Sequence, residues 1–215
     1  AFRKKSSARD LITICGATWV LLICQGFKVG LYLSDISGAF DKVSRALIIG
    51  KLSQIGLPGI FLDFLNDYLL TREGHVRVEG ALSEAMFLAN MVFQGTVLGP
   101  SLWDAFFADV AQYIPSGNQR INLFADDLTV MCHKAHHVAD DIIIDELREI
   151  QTRTHEWGVR NQVEFDPSKD YLKILHPSRG VGEDFKMLGT LFDTALSMKP
   201  CLESVLDRTR PKIRA

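Results

Sequence analysis

Three aspartates interrupt apolar segments, and they are the first candidates for chemistry in this sequence. Asp126 and Asp127 stand inside the apolar run INLFADDLTVMCH, and Asp35 ends the run GLYLSD. Adjacent carboxylates repel each other unless cations or hydrogen bonds compensate. Two strand-terminal carboxylates from separate segments can hold a divalent ion, and their hard oxygen atoms favour Mg²⁺, with Mn²⁺ as an alternative. Two such ions about 4 Å apart serve in-line phosphoryl transfer.

The Asp-Asp pair taken alone also fits a solvated hairpin turn, because Asp is a favoured turn residue. Side chains alternate along a strand, so neighbouring aspartates in a regular strand face opposite sides. A tight turn relaxes this alternation. We therefore expect Asp126 to point into a cleft and Asp127 to support it, with Asp35 supplying a carboxylate from the other segment.

The elements that must position these aspartates are strands and helices without a regular βαβ rhythm. Apolar runs predict a strand at 28–36, a hairpin joined at the Asp-Asp pair, and late strands in YLKIL and FKMLGTLF. Helical spacing predicts helices at 44–56, 60–70, 99–113 and 138–157. This order indicates an α+β fold, with a mainly antiparallel sheet and helices on one face.

The most apolar stretch of the chain is LITICGATWVLLIC, residues 11–24. It is shorter than the roughly 20 residues that span a bilayer, so we expect a buried helix and no membrane partner. The chain begins with Ala1 rather than Met. We expect it to be a piece of a longer protein.

The chain has 215 residues, and its 24 Lys and Arg against 26 Asp and Glu give a formal charge of −2. A hydrophobic fraction of 47% excludes a disordered tail. Free-standing nucleic-acid binders are usually basic, and this chain is not. Its charge is uneven, however, with an acidic middle between two basic ends. The basic residues are Arg3, Lys4, Lys5 and Arg9 at one end and Arg208, Arg210, Lys212 and Arg214 at the other.

Cysteine and histidine residues give no sign of a metal centre. The four cysteines are scattered without CxxC spacing, and we interpret them as structural residues that behave as small hydrophobes. This usage fits an intracellular protein, in the nucleus or the cytoplasm. His133, His136 and His137 have no cysteine partner nearby, and we expect them to be solvated.

Four segments resemble, in order and spacing, motifs A, B, C and E of reverse transcriptases. They are DISGAFDKV (35–43), VFQGTVLGP (92–100), FADD (124–127) and FKMLG (185–189). FRKKSSARDLI and YLLTREGHVRVEG extend the resemblance to the enzymes of non-LTR (LINE-type) retrotransposons. Nearly the whole chain is covered. The resemblance implies a polymerase palm with part of the fingers, an RNA-directed DNA polymerase that uses an RNA template, a DNA primer and dNTPs.

The resemblance also assigns roles to residues around the aspartates. It implies that Asp35 and Asp126 hold two catalytic Mg²⁺ ions and that Asp127 is a less direct metal ligand needed for activity. Phe40 matches the aromatic residue that collides with a ribose 2′-hydroxyl and so selects deoxynucleotides. Gln94 and Gly95 match the motif B pair that lies against the nucleotide and template.

Two further segments resemble motifs near the primer end. In WGVRNQVEFDPSKDYLKI, Lys169 matches the motif D lysine proposed to protonate the leaving pyrophosphate, and Asp170 stands where the family usually has Thr. An exposed lysine after a turn explains Lys169 equally well. The segment FKMLG is expected to form the primer-grip hairpin, with Leu188 and Gly189 at its centre. At motif B, Gly99 stands where the family more often has Ser.

The family parallel predicts how the chain is divided. Residues 1–27 and 44–90 correspond to fingers and palm helices with a hairpin, 28–43 and 91–200 to the palm, and 201–215 to the start of the thumb. We expect this piece alone to be inactive or weakly active. Three alternatives remain: a mobile-intron maturase-type reverse transcriptase, an RNA-templated RNA polymerase, and a non-catalytic remnant or RNA-binding palm.

Overall fold

The structure is a computed structural model that describes residues 7–88 and 92–213. Short turns of 3₁₀ helix join some of its elements. The elements in chain order are α1 (Ala8–Cys24), β1 (Phe27–Asp35), α2 (Arg45–Gln54), α3 (Gly59–Tyr68), β2 (Arg72–Gly74), β3 (Arg77–Val78), β4 (Ala81–Leu82), β5 (Met86–Leu88), α4 (Gly99–Phe107), β6 (Arg120–Phe124), β7 (Asp127–Ala135), α5 (Asp140–Asn161), β8 (Tyr171–Leu175), β9 (Phe185–Met187), β10 (Thr190–Phe192) and α6 (Lys199–Ile213).

The central sheet has the strand order β6, β7, β1, β8, and all its pairings are antiparallel. Phe27 at the start of β1 lies opposite Ala135 of β7, and Asp35 at its end lies opposite Asp127. On the other side of β1, Leu33 lies opposite Tyr171 of β8. The predicted α+β class and antiparallel sheet are confirmed.

Both faces of this sheet are covered, because β1 is apolar at most of its positions. On one face, Tyr32 belongs to a core with Trp103 of α4 and Trp157 of α5. On the other face, Leu31 packs with Trp19 of α1 and with the β9–β10 hairpin. The prediction of helices on one face holds for α2, α4 and α5, whereas α1 covers the opposite face.

The expectation of a buried helix over residues 11–24 is only partly correct. α1 begins after Ser7, which forms a capping box with Asp10. Cys15 and Trp19 are buried, but Leu21 is 57% exposed. The helix therefore covers the sheet along a single stripe. Among the residues that the structure describes, no helix has the length and apolar character needed to cross a membrane.

α5 lies close to the sheet at a glycine of β1. A Cβ atom on Gly30 would lie 2.7 Å from Cγ2 of Ile143 and 2.8 Å from Sγ of Cys132. Both of these neighbours are fully buried. Gly30 thus permits the close approach of α5 to the strand that ends at Asp35.

All four cysteines are free thiols, and Cys15 and Cys132 are buried. Four of the basic residues at the two ends lie outside the described residues: Arg3, Lys4, Lys5 and Arg214.

Candidate active site

Asp35 and Asp127 lie opposite each other on the neighbouring strands β1 and β7. They form the last register pair between β1 and β7. Directly opposed residues of antiparallel strands share a face and have Cβ atoms about 4.5–5.5 Å apart. Along β1 the alternation places Asp35 on the same face as Leu31 and Leu33, which is the face that carries the β9–β10 hairpin.

Asp126 reaches the same place through a tight turn. Phe124 and Asp127 are paired, so Ala125 and Asp126 alone connect β6 to β7. Ala125 has φ 54°, a left-handed conformation that is uncommon outside glycine and costs about 1 kcal/mol or more. Its carbonyl oxygen accepts a hydrogen bond from the indole Nε1 of buried Trp103 at 2.8 Å. The α4 tryptophan therefore holds the turn in its strained form.

The three aspartates border one cavity of about 510 Å³. We expected Asp126 to point into the cleft and Asp127 only to support it; the structure differs, because both carboxylates border the cavity. The turn also lies one residue earlier than expected, at Ala125 and Asp126, so Asp127 already belongs to β7. Its strand position makes it face Asp35.

The charges of this carboxylate group are poorly compensated. The pKa of Asp127 rises to about 6, first because the group is partly buried and then because the charges of Asp35 and Asp126 lie close to it. Burial also raises the pKa of Asp126, and the nearby Asp35 carboxylate adds to that effect. A Lys169 ammonium near both groups acts in the opposite direction. The site therefore has excess negative charge that a cation can relieve.

Lys169 contacts the aspartates directly. Its Nζ donates a hydrogen bond to Oδ2 of Asp35 and lies 3.8 Å from Oδ2 of Asp166. The hydrogen bond to Asp35 raises the pKa of Lys169. Continuing the register between β1 and β8 by two residues places Lys169 opposite Asp35. The sequence alone left Lys169 open between a solvated lysine and a site residue, and the structure places it at the site.

A compact turn presents Lys169 to the cavity. The Asp166 N–H donates to the Asp35 carbonyl oxygen at 2.9 Å. Both the N–H and the hydroxyl of Ser168 donate to Oδ1 of Asp166, at 3.0 and 2.6 Å. The Tyr171 hydroxyl donates to the Ser168 carbonyl oxygen at 2.8 Å. The segment before β8 is thus tied to the strand that carries Asp35.

The segment FKMLGTLF forms the expected hairpin next to the aspartates. Leu188 and Gly189 connect β9 to β10, and both have positive φ, 47° and 83°. This is the backbone of a two-residue hairpin turn of type I′. Both residues line the cavity, together with Lys186, which the sequence did not single out. Its place between the buried Phe185 and Met187 in a strand was the available signal.

Phe40 lies at the edge of the site and not in the aspartate cavity. Its ring stacks on Trp103 with 5.5 Å between centroids. The indole Nε1 of Trp103 also donates a hydrogen bond to the Ala125 carbonyl oxygen, in the turn between β6 and β7. A single tryptophan thus supports both the motif A aromatic ring and the motif C turn.

Gln94 and Gly95 lie in an exposed loop near Phe40. The Val92 N–H donates to the Phe40 carbonyl oxygen at 2.8 Å, which joins this loop to the segment after β1. Gly95 has φ 80°, a conformation suited to glycine. α4 begins at Gly99 as expected, and a Cβ atom there would lie 2.9 Å from the Phe93 carbonyl oxygen. A side chain at this position would therefore require the backbone to shift.

The carboxylate group suits a divalent cation by its donor chemistry. Three carboxylates, of which Asp126 and Asp127 have raised pKa values, supply the hard oxygen atoms that Mg²⁺ prefers. Over residues 7–88 and 92–213, no set of three or more His, Cys, Asp or Glu side chains is arranged to hold an ion as the structure stands. At Asp35, the Lys169 ammonium competes for the carboxylate that an ion would use. His133, His136 and His137 belong to no such set within these described ranges.

Comparison with known proteins identifies the family. A family model described as reverse transcriptase (RNA-dependent DNA polymerase) matches residues 25–179. The chain belongs to the reverse transcriptase family. The matched residues include all three aspartates, Phe40, Gln94 and Lys169, while the β9–β10 hairpin lies beyond them.

The relatives of this reverse transcriptase domain are enzymes of non-LTR retrotransposons. It is similar to the RNA-directed DNA polymerase from mobile element jockey of Drosophila melanogaster, with 26% identity over 202 residues that cover 87% of this chain and 22% of that protein. It is also similar to the probable RNA-directed DNA polymerase from transposon X-element of the same species. The identity is 30%, over 83% of this chain and 21% of that protein. The chain spans about a fifth of the length of these relatives.

Solved telomerase structures share the fold. Apo telomerase from Candida tropicalis superposes with a TM-score of 0.63 at 9% identity, over 89% of this chain and 40% of that one. Telomerase from Candida albicans gives a TM-score of 0.60 at 14% identity, over 89% of this chain and 33% of that one. At such low identity the likeness concerns the fold alone.

Proposed function

We propose that this reverse transcriptase domain is the catalytic palm of an RNA-directed DNA polymerase from a retroelement. The observation that carries the proposal is the grouping of Asp35, Asp126 and Asp127 at one cavity beside the β9–β10 hairpin. Partly buried carboxylates with raised pKa values lower the stability of the folded state, and catalytic sites commonly contain such groups.

In this proposal, Asp35 and Asp126 hold two Mg²⁺ ions, with Mn²⁺ as an alternative. Asp127, on the strand next to Asp35, is a less direct ligand that activity also needs. When bound, such ions lower the pKa of a primer 3′-hydroxyl and stabilise charge on the reacting phosphate. The hairpin tip at Leu188 and Gly189 positions the primer end over the carboxylates.

The remaining residues act on the incoming nucleotide. Phe40, held by its stacking on Trp103, excludes a ribose 2′-hydroxyl and favours dNTPs. The exposed Gln94 and Gly95 contact the nucleotide and the template. Lys169 carries a proton at the edge of the cavity and donates it to the leaving pyrophosphate.

The wider assignments follow from the same proposal. Residues 28–43 and 91–200 form the palm, 1–27 and 44–90 supply fingers and palm helices, and 201–215 begin the thumb. Activity then needs the longer protein, since the chain spans about a fifth of its relatives. The free thiols of the chain suit an intracellular location.

The test is extension of a DNA primer on an RNA template by the longer protein with dNTPs and Mg²⁺. We expect Asp126→Ala to abolish extension, while Asp63→Asn, at an exposed position of α3, leaves it unchanged. Extension that survives Asp126→Ala would contradict the assignment. A wild-type protein that binds the template but never extends the primer would support the non-catalytic alternative instead.

A further inference from the structure

Lys169 and the next residue face opposite sides of the sheet. Asp170 has an extended backbone, with φ −101° and ψ 100°, just before β8. Side chains alternate along an extended segment, so Lys169 and Tyr171 lie on the face of the aspartates and Asp170 on the face of α5. The structure shows both contacts: Lys169 bonds Asp35, and Asp170 bonds α5.

The Asp170 carboxylate is held in a buried polar contact with α5. Its Oδ2 accepts a hydrogen bond from Nε2 of Gln151 at 2.6 Å and lies 3.0 Å from Nε2 of His155. The side chain is 5% exposed. The His155 ring stacks on Phe165, with 5.5 Å between centroids and 7° between planes, so the histidine is itself fixed.

The same carboxylate reaches the strand that carries Asp35. Burial raises the pKa of the Tyr32 hydroxyl, on the α5 face of β1, and the nearby charge of the Asp170 carboxylate raises it further. Continuing the β1–β8 register places Asp170 opposite Ser34 and Lys169 opposite Asp35. Asp170 therefore joins α5, β1 and the start of β8 directly behind the catalytic face.

We propose that Asp170 is a positioning residue, which holds the backbone before β8 so that the Lys169 ammonium is presented to the aspartate cavity. Its partners for this task are Gln151 and His155 of α5. Oδ1 of Asp170 is buried without a hydrogen-bond partner among the described residues, so the Oδ2 contacts supply the pairing, and losing them would leave the carboxylate buried and unpaired. This inference rests on the role proposed above for Lys169, and it concerns a position where this chain departs from the usual Thr of the family.

The first arm of the test needs no activity. Hydrogen exchange at the amides of residues 166–171 is compared for the wild-type chain, Asp170→Ala and the matched control Glu156→Ala, an α5 residue that faces solvent. We expect Asp170→Ala to speed exchange in this segment about tenfold or more and to leave exchange in β6 and β7 unchanged. Unchanged exchange in residues 166–171 overturns the inference. Asp170→Asn, which keeps the shape and one acceptor oxygen, replaces Asp170→Ala if the alanine variant fails to fold.

The second arm is a double-mutant cycle for nucleotide incorporation by the longer protein. We expect Asp170→Ala to lower the incorporation rate about tenfold with little change in the apparent affinity for dNTP. This loss is smaller than the roughly 10²–10⁴-fold rate increase that a general acid contributes, because the lysine itself remains. In a Lys169→Ala background the same change should have no further effect. Independent, multiplicative losses overturn the inference. A wild-type protein without any incorporation overturns the proposed function, and the exchange arm then still decides the role of Asp170.

Discussion

Asp35 and Asp127 are directly opposed residues of two antiparallel strands, on the same face of the sheet. Like charges in this relation destabilise a sheet, and here the third carboxylate of Asp126 adds to the repulsion. Within the described part of the chain, the Lys169 ammonium opposes the charge of this group. The arrangement is unfavourable for the folded chain and suited to holding cations.

We expect Asp127→Asn to stabilise the fold at neutral pH. The folded-state pKa of Asp127, about 6, lies above the ordinary value of 3.8. The ionised carboxylate is therefore less stable in the folded chain, and wild-type stability falls as the pH rises from 3.8 to about 6 and changes little above that. After allowance for screening by solvent, the gain for the variant is about 1–2 kcal/mol at pH 7.5. Melting temperatures measured from pH 4 to pH 8 should differ least at pH 4. A difference that does not grow with pH would refute this reading of the site.

Phe40→Ala should weaken the selection of dNTPs over rNTPs by the longer protein. The Phe40 ring is fixed by its stacking on Trp103, so it cannot easily swing away from a 2′-hydroxyl. We expect the ratio of kcat/KM for dATP to that for ATP to fall about tenfold or more, which corresponds to about 1.4 kcal/mol. Unchanged discrimination would mean that the ring serves only for packing and would reopen the RNA polymerase alternative.

Gly30→Ala should destabilise the chain by about 1–3 kcal/mol, because the new methyl group would overlap Ile143 and Cys132. Gly16→Ala in α1 is the matched control. A Cβ atom there meets nothing within 4 Å, so the change should be neutral or stabilising by up to about 1 kcal/mol. Urea titration of both variants measures the difference. Equal midpoints would show that α5 does not pack against β1 as closely as described.

Several elements could be predicted from sequence because their signals are local. The strand at 28–36, the hairpin around the aspartates and the FKMLG turn all have apolar runs with clear interruptions, and each is present within a residue or two. The burial of α1 is predicted too high, because an apolar composition does not say how many sides of a helix are covered by other elements. Its exposed residues follow from the single sheet face that it packs against.

The finer geometry of the site depends on contacts between distant residues. The opposition of Asp35 and Asp127 is a matter of strand register, which no local pattern fixes. The left-handed backbone at Ala125 is maintained by Trp103, which lies 22 residues earlier in the chain. The contact of Lys169 with Asp35 spans 134 residues. Resemblance to a family named most of these residues, but their mutual arrangement required the folded chain.

The most direct test of the central claim is Mn²⁺ binding to the 215-residue chain. Binding is measured as the decrease in the EPR signal of the free ion. If Asp35, Asp126 and Asp127 form one cation site, the wild-type chain should bind Mn²⁺. Asp35→Asn and Asp126→Asn should each weaken the affinity about tenfold or more, since each removes a charge next to the ion. The exposed control Asp63→Asn should bind as the wild type does. Equal affinity in all four proteins would contradict the claim that these aspartates hold the catalytic metal ions.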